Sequence, residues 1–237
     1  MGQMRLNAGA YSDIRLRILN LDTRTDLKGE LAMKFYNSIG PNPRVVKMFM
    51  KEKGIEIPFE EVDLMAAENR REPYLAKNPG GQLPALELDD GMVLAEITAI
   101  CEYLEEKYPA KPLIGTNAEE RAETRMWTRR VDLGICEPLA NGFRFSAGLP
   151  LFKDRMLCRP EAADGLKAMA QNKLSWLDKL MAGKEFLADK RMTLADILLF
   201  GFLDFGAAVG QPIDPANKNV LAWFERMKAR PSAAATA

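Results

Sequence analysis

The chain has 237 residues, 47% of them apolar and 28% charged, which is the composition of a globular protein with one large domain or two small ones. Its 33 basic and 33 acidic side chains balance, so we expect no nucleic-acid partner, and no apolar run approaches the roughly 20 residues that span a membrane. The chain contains no histidine, which excludes a Ser-His-Asp or Cys-His catalytic site and a zinc site with histidine ligands, and we expect no metal.

Residues 1–32 differ in pattern from the rest of the chain. Ile14, Leu16 and Ile18 alternate with arginines, which predicts a short strand. The segment lacks the apolar stretch of a secretory signal, and its acidic residues argue against a transit peptide. We interpret it as an N-terminal extension and expect Met33 to be the first residue of the folded unit.

Residues 33–110 predict an α/β domain with the element order βαβ followed by ββα. The turn-rich loop Gly40-Pro41-Asn42-Pro43 separates the first strand from the first helix, and Asp89-Asp90-Gly91 forms a hairpin turn between the last two strands. Residues 63–79 predict an irregular, charged connection with a short helix. The predicted strands cover residues 34–36, 57–62, 84–88 and 92–94, and the predicted helices cover residues 44–53 and 96–107.

A segment with two prolines and a glycine, residues 108–116, is the predicted linker, and an all-helical domain is predicted over residues 117–237. Thr193 and Asp196 have the spacing of a capping box, and the apolar run behind them predicts a buried central helix. We expect the alanine-rich tail from Ser232 to be disordered. The predicted helices cover residues 117–146, 160–182, 193–209 and 220–228.

The segment Gly80–Leu86, with the sequence Gly-Gly-Gln-Leu-Pro-Ala-Leu, indicates a binding site for a small anionic peptide. Proline cannot donate to a strand ladder, so Pro84 belongs at the entrance of a strand. If the Leu83–Pro84 bond is cis, the N–H and C=O of Leu83 turn outward and can pair with an extended peptide. The following helix, which opens at Glu96, offers free N–H groups to a ligand carboxylate.

The three cysteines, Cys101, Cys136 and Cys158, have no CxxC spacing and cannot all pair. This usage predicts a reducing compartment, the cytoplasm, and no disulfide framework. We expect Cys101, on the apolar face of its helix, to be inert. Any nucleophile is then expected from a substrate or a bound cofactor, unless a cysteine or a serine acts without histidine.

In their order and spacing these features resemble the cytosolic glutathione S-transferase family over residues 33–231. The resemblance implies an N-terminal thioredoxin-like domain, a C-terminal all-helical domain and usually a homodimer. It also implies that glutathione is the co-substrate and that its thiolate attacks a hydrophobic electrophile or a disulfide. The features are the loop after the first strand, Gln82-Leu83-Pro84-Ala85-Leu86, the Glu96 helix with Ala99-Ile100 and Tyr103-Leu104, and the Thr193–Asp196 box.

The resemblance places the donor to the thiolate in the loop after the first strand. The Pro41-Asn42 pair resembles bacterial nu-class-like members, in which an asparagine at the helix start contacts the thiol, so Asn42 is the first candidate. Ser38, which carries the loop's one hydroxyl, is the second. The alternative for Asn42 is an ordinary turn residue and helix N-cap.

Three residues around the proline are implied to hold the middle and the glycyl end of glutathione. Leu83 is implied to bind the cysteinyl part through its backbone, with Pro84 fixing that geometry. Gln82 is implied to reach the peptide or the glycyl end.

The helix after the hairpin is implied to hold the γ-glutamyl end. Glu96 is implied to meet the γ-glutamyl ammonium. Ile97 stands where many members of the family carry a serine that holds the γ-glutamyl carboxylate, so it offers its backbone N–H alone. Thr98 can supply a replacement hydroxyl.

Apolar side chains of the helical half are candidates for the electrophile pocket. Met126, Trp127 and Phe143 can line it, although apolar residues at helical spacing more often belong to a core. Three functions therefore remain open. The first is conjugation of glutathione to a hydrophobic electrophile, the second a glutathione-dependent disulfide reductase or peroxidase, and the third a non-catalytic binding module with the same fold.

Overall fold

The computed structural model describes residues 33–237 of the chain. The predicted extension at residues 1–32, with its strand around Ile14, lies outside the described residues. From Met33 the elements follow the predicted order, with a βαβ and a ββα unit succeeded by helices. None of the helices in residues 33–237 is both long and apolar enough to cross a membrane.

A four-stranded sheet forms the centre of the N-terminal half. Its strands are β1 (Lys34–Asn37), β2 (Phe59–Glu61), β3 (Ala85–Glu87) and β4 (Val93–Leu94). They lie in the order β2-β1-β3-β4, with β1 parallel to β2 and the other neighbours antiparallel. The parallel pair requires the crossover helix that separates β1 from β2, and the antiparallel pair β3–β4 is joined by the predicted hairpin.

Both faces of β1 are buried, so this strand does not alternate between core and solvent. Phe35 belongs to the main hydrophobic core, and Tyr36 packs on the opposite face with Tyr74, Leu83 and Ala85. The Tyr36 hydroxyl donates to the Glu87 carboxylate, and burial together with this hydrogen bond raises the Tyr36 pKa. Both aromatic rings are therefore structural.

Three helices pack around this sheet: α1 (Pro41–Lys53), α2 (Tyr74–Lys77) and α3 (Ile97–Lys107). The predicted start of α1 at Arg44 is wrong, because the helix includes both Pro41 and Pro43. Proline is tolerated there because the first turn of a helix has no intrahelical acceptor for its N–H groups. The loop that was predicted to precede the helix is therefore its first turn.

The C-terminal half contains the remaining helices, and its predicted first helix is interrupted. The helix α4 (Ala118–Val131) passes into a π-helical turn, Asp132–Cys136, before α5 (Glu137–Arg144) begins. Gly134 lies in this turn, where an added Cβ would stand 2.9 Å from the Lys173 side chain. The remaining helices are α6 (Leu149–Phe152), α7 (Ala163–Leu180), α8 (Leu194–Ala208), α9 (Lys218–Lys228) and α10 (Pro231–Ala234).

The central helix α8 is buried, and it begins with the predicted capping box. The Asp196 carboxylate accepts hydrogen bonds from the backbone N–H of Leu187, at 2.9 Å, and from the indole of Trp223, at 3.0 Å. On one side α8 meets α1 so closely that a Cβ at Gly201 would lie 2.8 Å from the Val45 side chain. This contact fixes the start of α1 against the helical half.

The C-terminal tail is ordered, so the prediction of disorder from Ser232 was wrong. Ser232 and Ala233 are buried in α10. The Glu52 carboxylate of α1 accepts hydrogen bonds from the Arg230 guanidinium, at 2.7 and 2.8 Å, and from the Ser232 hydroxyl. The alanine-rich composition of the tail led to the prediction of disorder, whereas two polar residues attach the tail to Glu52.

Candidate functional site

A cavity of about 330 Å³, the polar cavity, lies between the two halves of the chain. Six of its lining residues are the ones that the sequence predicted for co-substrate binding, and Asn42 joins them. The other lining residues come from the helical half, where the linear sequence gave no direct sign of proximity. The lining comprises Asn42, Gln82, Leu83, Pro84, Glu96, Ile97, Thr98, Asp132, Glu137, Arg144 and Phe202.

The Leu83–Pro84 segment enters the cavity just before β3. Its peptide bond is cis. The carbonyl of Gln82 accepts from the Tyr74 hydroxyl at 2.6 Å and from the Asn78 amide at 2.9 Å, which fixes the segment from behind. Burial raises the pKa of Tyr74 to about 12, so its hydroxyl remains a donor. Ladder pairing starts at Ala85, and the N–H and C=O of Leu83 have no partner within residues 33–237.

The start of α3 presents unpaired N–H groups to the same cavity. Glu96 is the N-cap residue, with φ 68° and ψ 116°, a conformation that non-glycine residues rarely adopt and that concentrates at functional sites. Its carbonyl already accepts from the N–H of Ile100. The N–H groups of Ile97 and Thr98 have no acceptor inside the helix, and such a terminus attracts anions.

Asp132, which the sequence did not single out, adds a second carboxylate to the cavity. It lies at the start of the π-helical turn, and single π turns in helices often mark functional sites. Burial, and then the charges of Glu137 and Glu96, raise the pKa of the Asp132 carboxyl. The sequence contained one indication of this irregular turn, Gly134, because glycine is unfavourable inside a helix.

The polar cavity therefore has an acidic wall. Glu96, Asp132 and Glu137 all line it, and Arg144 is the one lining cation from the described residues. The Arg144 guanidinium lies 4.0 Å from the Glu137 carboxylate. Such a wall suits an ammonium group, which the donors at the start of α3 could not hold.

Asn42 occupies the boundary between this cavity and a second one. It is the second residue of α1, and the N-cap position belongs to Gly40, so the alternative prediction of Asn42 as N-cap is wrong. The Asn42 side chain is half-buried, and its amide has no hydrogen-bond partner in the described part of the chain. Because Pro41 and Pro43 carry no N–H, Asn42 supplies the one backbone N–H donor among the first three residues of α1.

Ser38 lies apart from both cavities that Asn42 lines. It is buried, and its hydroxyl donates to the Val62 carbonyl at 2.8 Å. A hydroxyl has a single proton to donate, and here that proton is engaged inside the protein. The structure therefore does not bring Ser38 to the predicted co-substrate residues.

The second cavity, the apolar cavity, has a volume of about 430 Å³ and shares Asn42, Gln82, Leu83 and Arg144 with the polar cavity. Of the three aromatic and apolar candidates from the helical half, Phe143 lines it, whereas Trp127 is buried in the core and Met126 is exposed. Its other apolar lining includes Ile39, Leu64, Met65, Leu151, Phe152 and Phe205.

None of the three cysteines lines either cavity. Cys101 and Cys136 are fully buried, and burial raises the pKa of each thiol well above its usual value. Such thiols are poor nucleophiles, because the thiolate is the reactive form. A thiol nucleophile at this site therefore has to enter with a ligand.

Comparison with known families accounts for this arrangement. Residues 35–112 match the family model of the glutathione S-transferase N-terminal domain, and residues 149–231 match that of the C-terminal domain. The chain is 30% identical to glutathione S-transferase GstA of Escherichia coli O157:H7 over 205 residues, 84% of this chain and 94% of that protein.

Solved structures show the same similarity. A glutathione S-transferase domain-containing protein of Marinobacter aquaeolei is 35% identical, with a TM-score of 0.79 over 84% of this chain and 99% of that one. Gtt2 of Saccharomyces cerevisiae is 28% identical, also with a TM-score of 0.79, over 86% of this chain and 100% of that one. The predicted fold class is thereby confirmed, while the nu-class detail stays a prediction.

Proposed function

The chain belongs to the cytosolic glutathione S-transferase family, and we propose that it conjugates glutathione to a hydrophobic electrophile. One observation carries the proposal: a polar cavity and an apolar cavity meet at Asn42 and Leu83. Glutathione is a charged tripeptide with a thiol in its middle, so it suits the polar cavity with its sulfur at the shared boundary. A hydrophobic electrophile suits the apolar cavity.

We propose that Leu83 holds the cysteinyl part of glutathione. Its N–H and C=O have no partner within residues 33–237, and an extended peptide can pair with them as a further strand would. Pro84 follows it, and the two hydrogen bonds to the Gln82 carbonyl support the segment from the protein side. The Gln82 side chain is exposed beside the site and is the candidate for the glycyl end.

The two charges of the γ-glutamyl end are assigned to different groups. Its carboxylate is placed at the N–H groups of Ile97 and Thr98, where the partial positive charge of the helix terminus attracts anions. Its ammonium is placed at the carboxylates of Glu96 and Asp132, which line the same cavity. Thr98, which is half-buried there, is the candidate for the hydroxyl that Ile97 lacks.

Asn42 is the proposed donor to the thiolate. Lowering a thiol pKa from about 8.5 to about 6.5 corresponds to about 2.7 kcal/mol. A hydrogen bond to a charged group contributes roughly 1.5–3 kcal/mol, and the terminus of α1 adds about 0.3–1 kcal/mol. One amide at this position is therefore sufficient in magnitude. Ser38 is not favoured, because its proton already serves Val62.

Conjugation then proceeds by substitution or addition at an electrophilic carbon. A carbon–sulfur bond forms, and the thiol proton goes to solvent. In a substitution the leaving group departs with its electron pair, and in an addition the displaced π electron pair takes up a proton from solvent. An apolar electrophile that fills the apolar cavity would displace water from the sulfur, which strengthens the interaction between the Asn42 amide and the thiolate.

The runner-up is a glutathione-dependent disulfide reductase or peroxidase. It is favoured by the neutral character of the donor, since an asparagine site need not keep a strongly activated thiolate. The two activities are separated by assaying conjugation of 1-chloro-2,4-dinitrobenzene beside reduction of hydroxyethyl disulfide. We expect the first to exceed the second when each is divided by its uncatalysed rate.

A non-catalytic binding module is the third possibility, and the isoleucine at position 97 favours it. Calorimetry with millimolar glutathione decides the matter, because absence of binding would end both enzymatic proposals. We also propose that the protein is a homodimer in the cytoplasm. Sedimentation equilibrium tests the first point, and fractionation of the source cells tests the second.

A further inference from the structure

The apolar cavity carries an unusual charge distribution. Three arginines, Arg70, Arg144 and Arg155, line it, and among residues 33–237 no aspartate or glutamate does. A cavity that served neutral hydrophobic molecules alone would gain nothing from three guanidinium groups, whose desolvation is costly. The positive charge therefore requires an explanation.

Ion pairing inside the protein does not supply that explanation. Arg155 donates to two backbone carbonyls, those of Leu64 at 2.5 Å and Met65 at 3.1 Å, and makes no salt bridge within residues 33–237. These contacts hold its guanidinium in place between the two halves of the chain without neutralising it.

The other two arginines are also poorly compensated. Arg70 donates to the Gly80 carbonyl at 3.3 Å, while its buried Nε has no hydrogen-bond partner in the described chain. The carboxylate nearest to Arg144 is that of Glu137, at 4.0 Å, and this is the limit of a salt bridge. The cavity thus combines at least two uncompensated cations with an apolar wall.

Three phenylalanines form part of the apolar wall. The ring of Phe143 lies 5.2 Å from that of Phe205, at 90°, and 6.3 Å from that of Phe152, at 80°. Perpendicular rings present both a face and an edge, and a flat aromatic ligand can pack against either. The Arg144 guanidinium lies 5.8 Å from the centre of the Phe152 ring, so cation and aromatic surface adjoin.

We propose that the electrophile of this enzyme is an aromatic compound that carries a carboxylate. The ring packs among the phenylalanines, and the carboxylate is held by the charge of the arginines, Arg155 above all. This inference rests on the proposed conjugation. For an aryl chloride the glutathione sulfur bonds to the ring carbon, chloride leaves with the carbon–chlorine electron pair, and the thiol proton passes to solvent.

Glutathione contains a competing anion, its glycyl carboxylate, and the polar and apolar cavities share Gln82 and Leu83. The test therefore uses protein saturated with S-methylglutathione. Calorimetry compares 3,5-dinitrobenzoate with 3,5-dinitrobenzamide, which have the same ring and differ in charge. We expect the carboxylate to bind at least tenfold more tightly, a difference of about 1.4 kcal/mol.

Arginine variants test whether the arginines of the apolar cavity cause the preference for the carboxylate over the amide. Arg155→Met should remove most of the preference for the carboxylate while changing the affinity for the amide less than about threefold, and Arg155→Lys should retain much of it. Arg159→Met removes the same charge from an exposed position outside the cavity and should change neither affinity. Unchanged affinity for the amide shows that each variant is folded.

Equal affinities, a preference for the amide, or no binding of either compound would overturn the inference. A preference that exists without S-methylglutathione and vanishes with it would also overturn it, because the arginines would then serve glutathione itself. Conjugation is measured separately with 4-chloro-3,5-dinitrobenzoate and its amide. If neither is turned over while the binding preference holds, the proposed function fails and the inference about the cavity stands.

Discussion

Glu96 and Asp132 line one cavity, although the first lies at the start of α3 and the second lies beyond the linker in a π-helical turn. The pKa of Asp132 is raised chiefly by burial, with contributions from Glu137 and Glu96. Each half of the chain thus supplies one carboxylate to the proposed ammonium site, which exists only when the halves are docked.

The first prediction concerns Asp132→Asn. Because the proposed partner of this carboxylate is the γ-glutamyl ammonium, we expect the affinity for glutathione to fall by about tenfold, since a hydrogen bond to a charged group contributes roughly 1.5–3 kcal/mol. The turnover at saturating glutathione should change less. Calorimetry and steady-state kinetics measure the two effects, with exposed Asp154→Asn as the matched control.

A pH dependence follows from the direction of the Asp132 pKa. The raised pKa means that this carboxyl takes up its proton at a higher pH than an ordinary aspartate. Glutathione affinity should therefore weaken as the pH falls through that value, and Asp132→Asn should flatten the profile. An identical slope in the wild type and the variant would remove Asp132 from the ammonium site.

The second prediction concerns Asn42. In Asn42→Ala the thiolate loses its proposed donor, so we expect turnover to fall more than tenfold and the pKa of bound glutathione to rise. The ultraviolet absorbance of the thiolate, titrated against pH, measures that pKa directly. Ser38→Ala is the control, since it removes a hydrogen bond to Val62 and should lower stability while leaving the thiol pKa unchanged.

The third prediction concerns Ile97→Ser. This variant introduces the hydroxyl that the resemblance places at this position in many members of the family. The side chain is half-buried at the first position of α3, beside the proposed γ-glutamyl carboxylate. We expect glutathione to bind up to about tenfold more tightly, because a hydrogen bond to a charged group is gained. Ala99→Ser adds a hydroxyl to an exposed neighbour and should have no effect. Calorimetric titration would contradict the assignment if both variants matched the wild type.

The fourth prediction concerns stability and the anchored tail. Burial alone would raise the pKa of Glu52, but hydrogen bonds from Arg230 and Ser232 outweigh it and lower the pKa below 4.5. A lowered pKa means that the folded state favours the charged form, so this contribution is present above pH 4.5 and is lost as the pH falls through the folded value.

Glu52→Gln should accordingly lower the free energy of unfolding by about 1–3 kcal/mol at neutral pH, because the partly buried pair of Glu52 and Arg230 loses its charge on one side. This difference in unfolding free energy between the wild type and the variant should become smaller as the pH falls. Urea unfolding at several pH values measures it, with Glu56→Gln, whose side chain is exposed, as the control. A deficit that is independent of pH would show that packing rather than the charge of Glu52 anchors the tail.

Much of the fold could be predicted because local signals agreed with the global arrangement. The turn residues of the β3–β4 hairpin, the proline at the entrance of β3 and the capping box at Thr193 each depend on neighbours in the sequence. The start of α1 was misplaced because Pro41 and Pro43 resemble a loop until the helix direction is known. The tail was misjudged because its order depends on Glu52, a residue from the opposite end of the described chain.

The residues of the candidate site also fall into those that could be predicted and those that could not. The residues from Gln82 to Pro84 and from Glu96 to Thr98 belong to short motifs, so the resemblance to the family could predict them together. Asp132 and the phenylalanines of the apolar cavity come from separate helices, and Arg155 comes from the turn after α6, so their proximity arises only from packing. A signal existed at Gly134, but it indicates an irregular helix and says nothing about which cavity Asp132 enters.

The central claim is that glutathione and its electrophile occupy two adjoining cavities that meet at Asn42. A crystal structure of the protein with S-hexylglutathione tests this most directly. We expect the peptide along Leu83 with its γ-glutamyl end at Ile97, Glu96 and Asp132, the sulfur beside the Asn42 amide, and the hexyl chain in the apolar cavity. A ligand bound elsewhere, or a sulfur facing away from Asn42, would contradict the account.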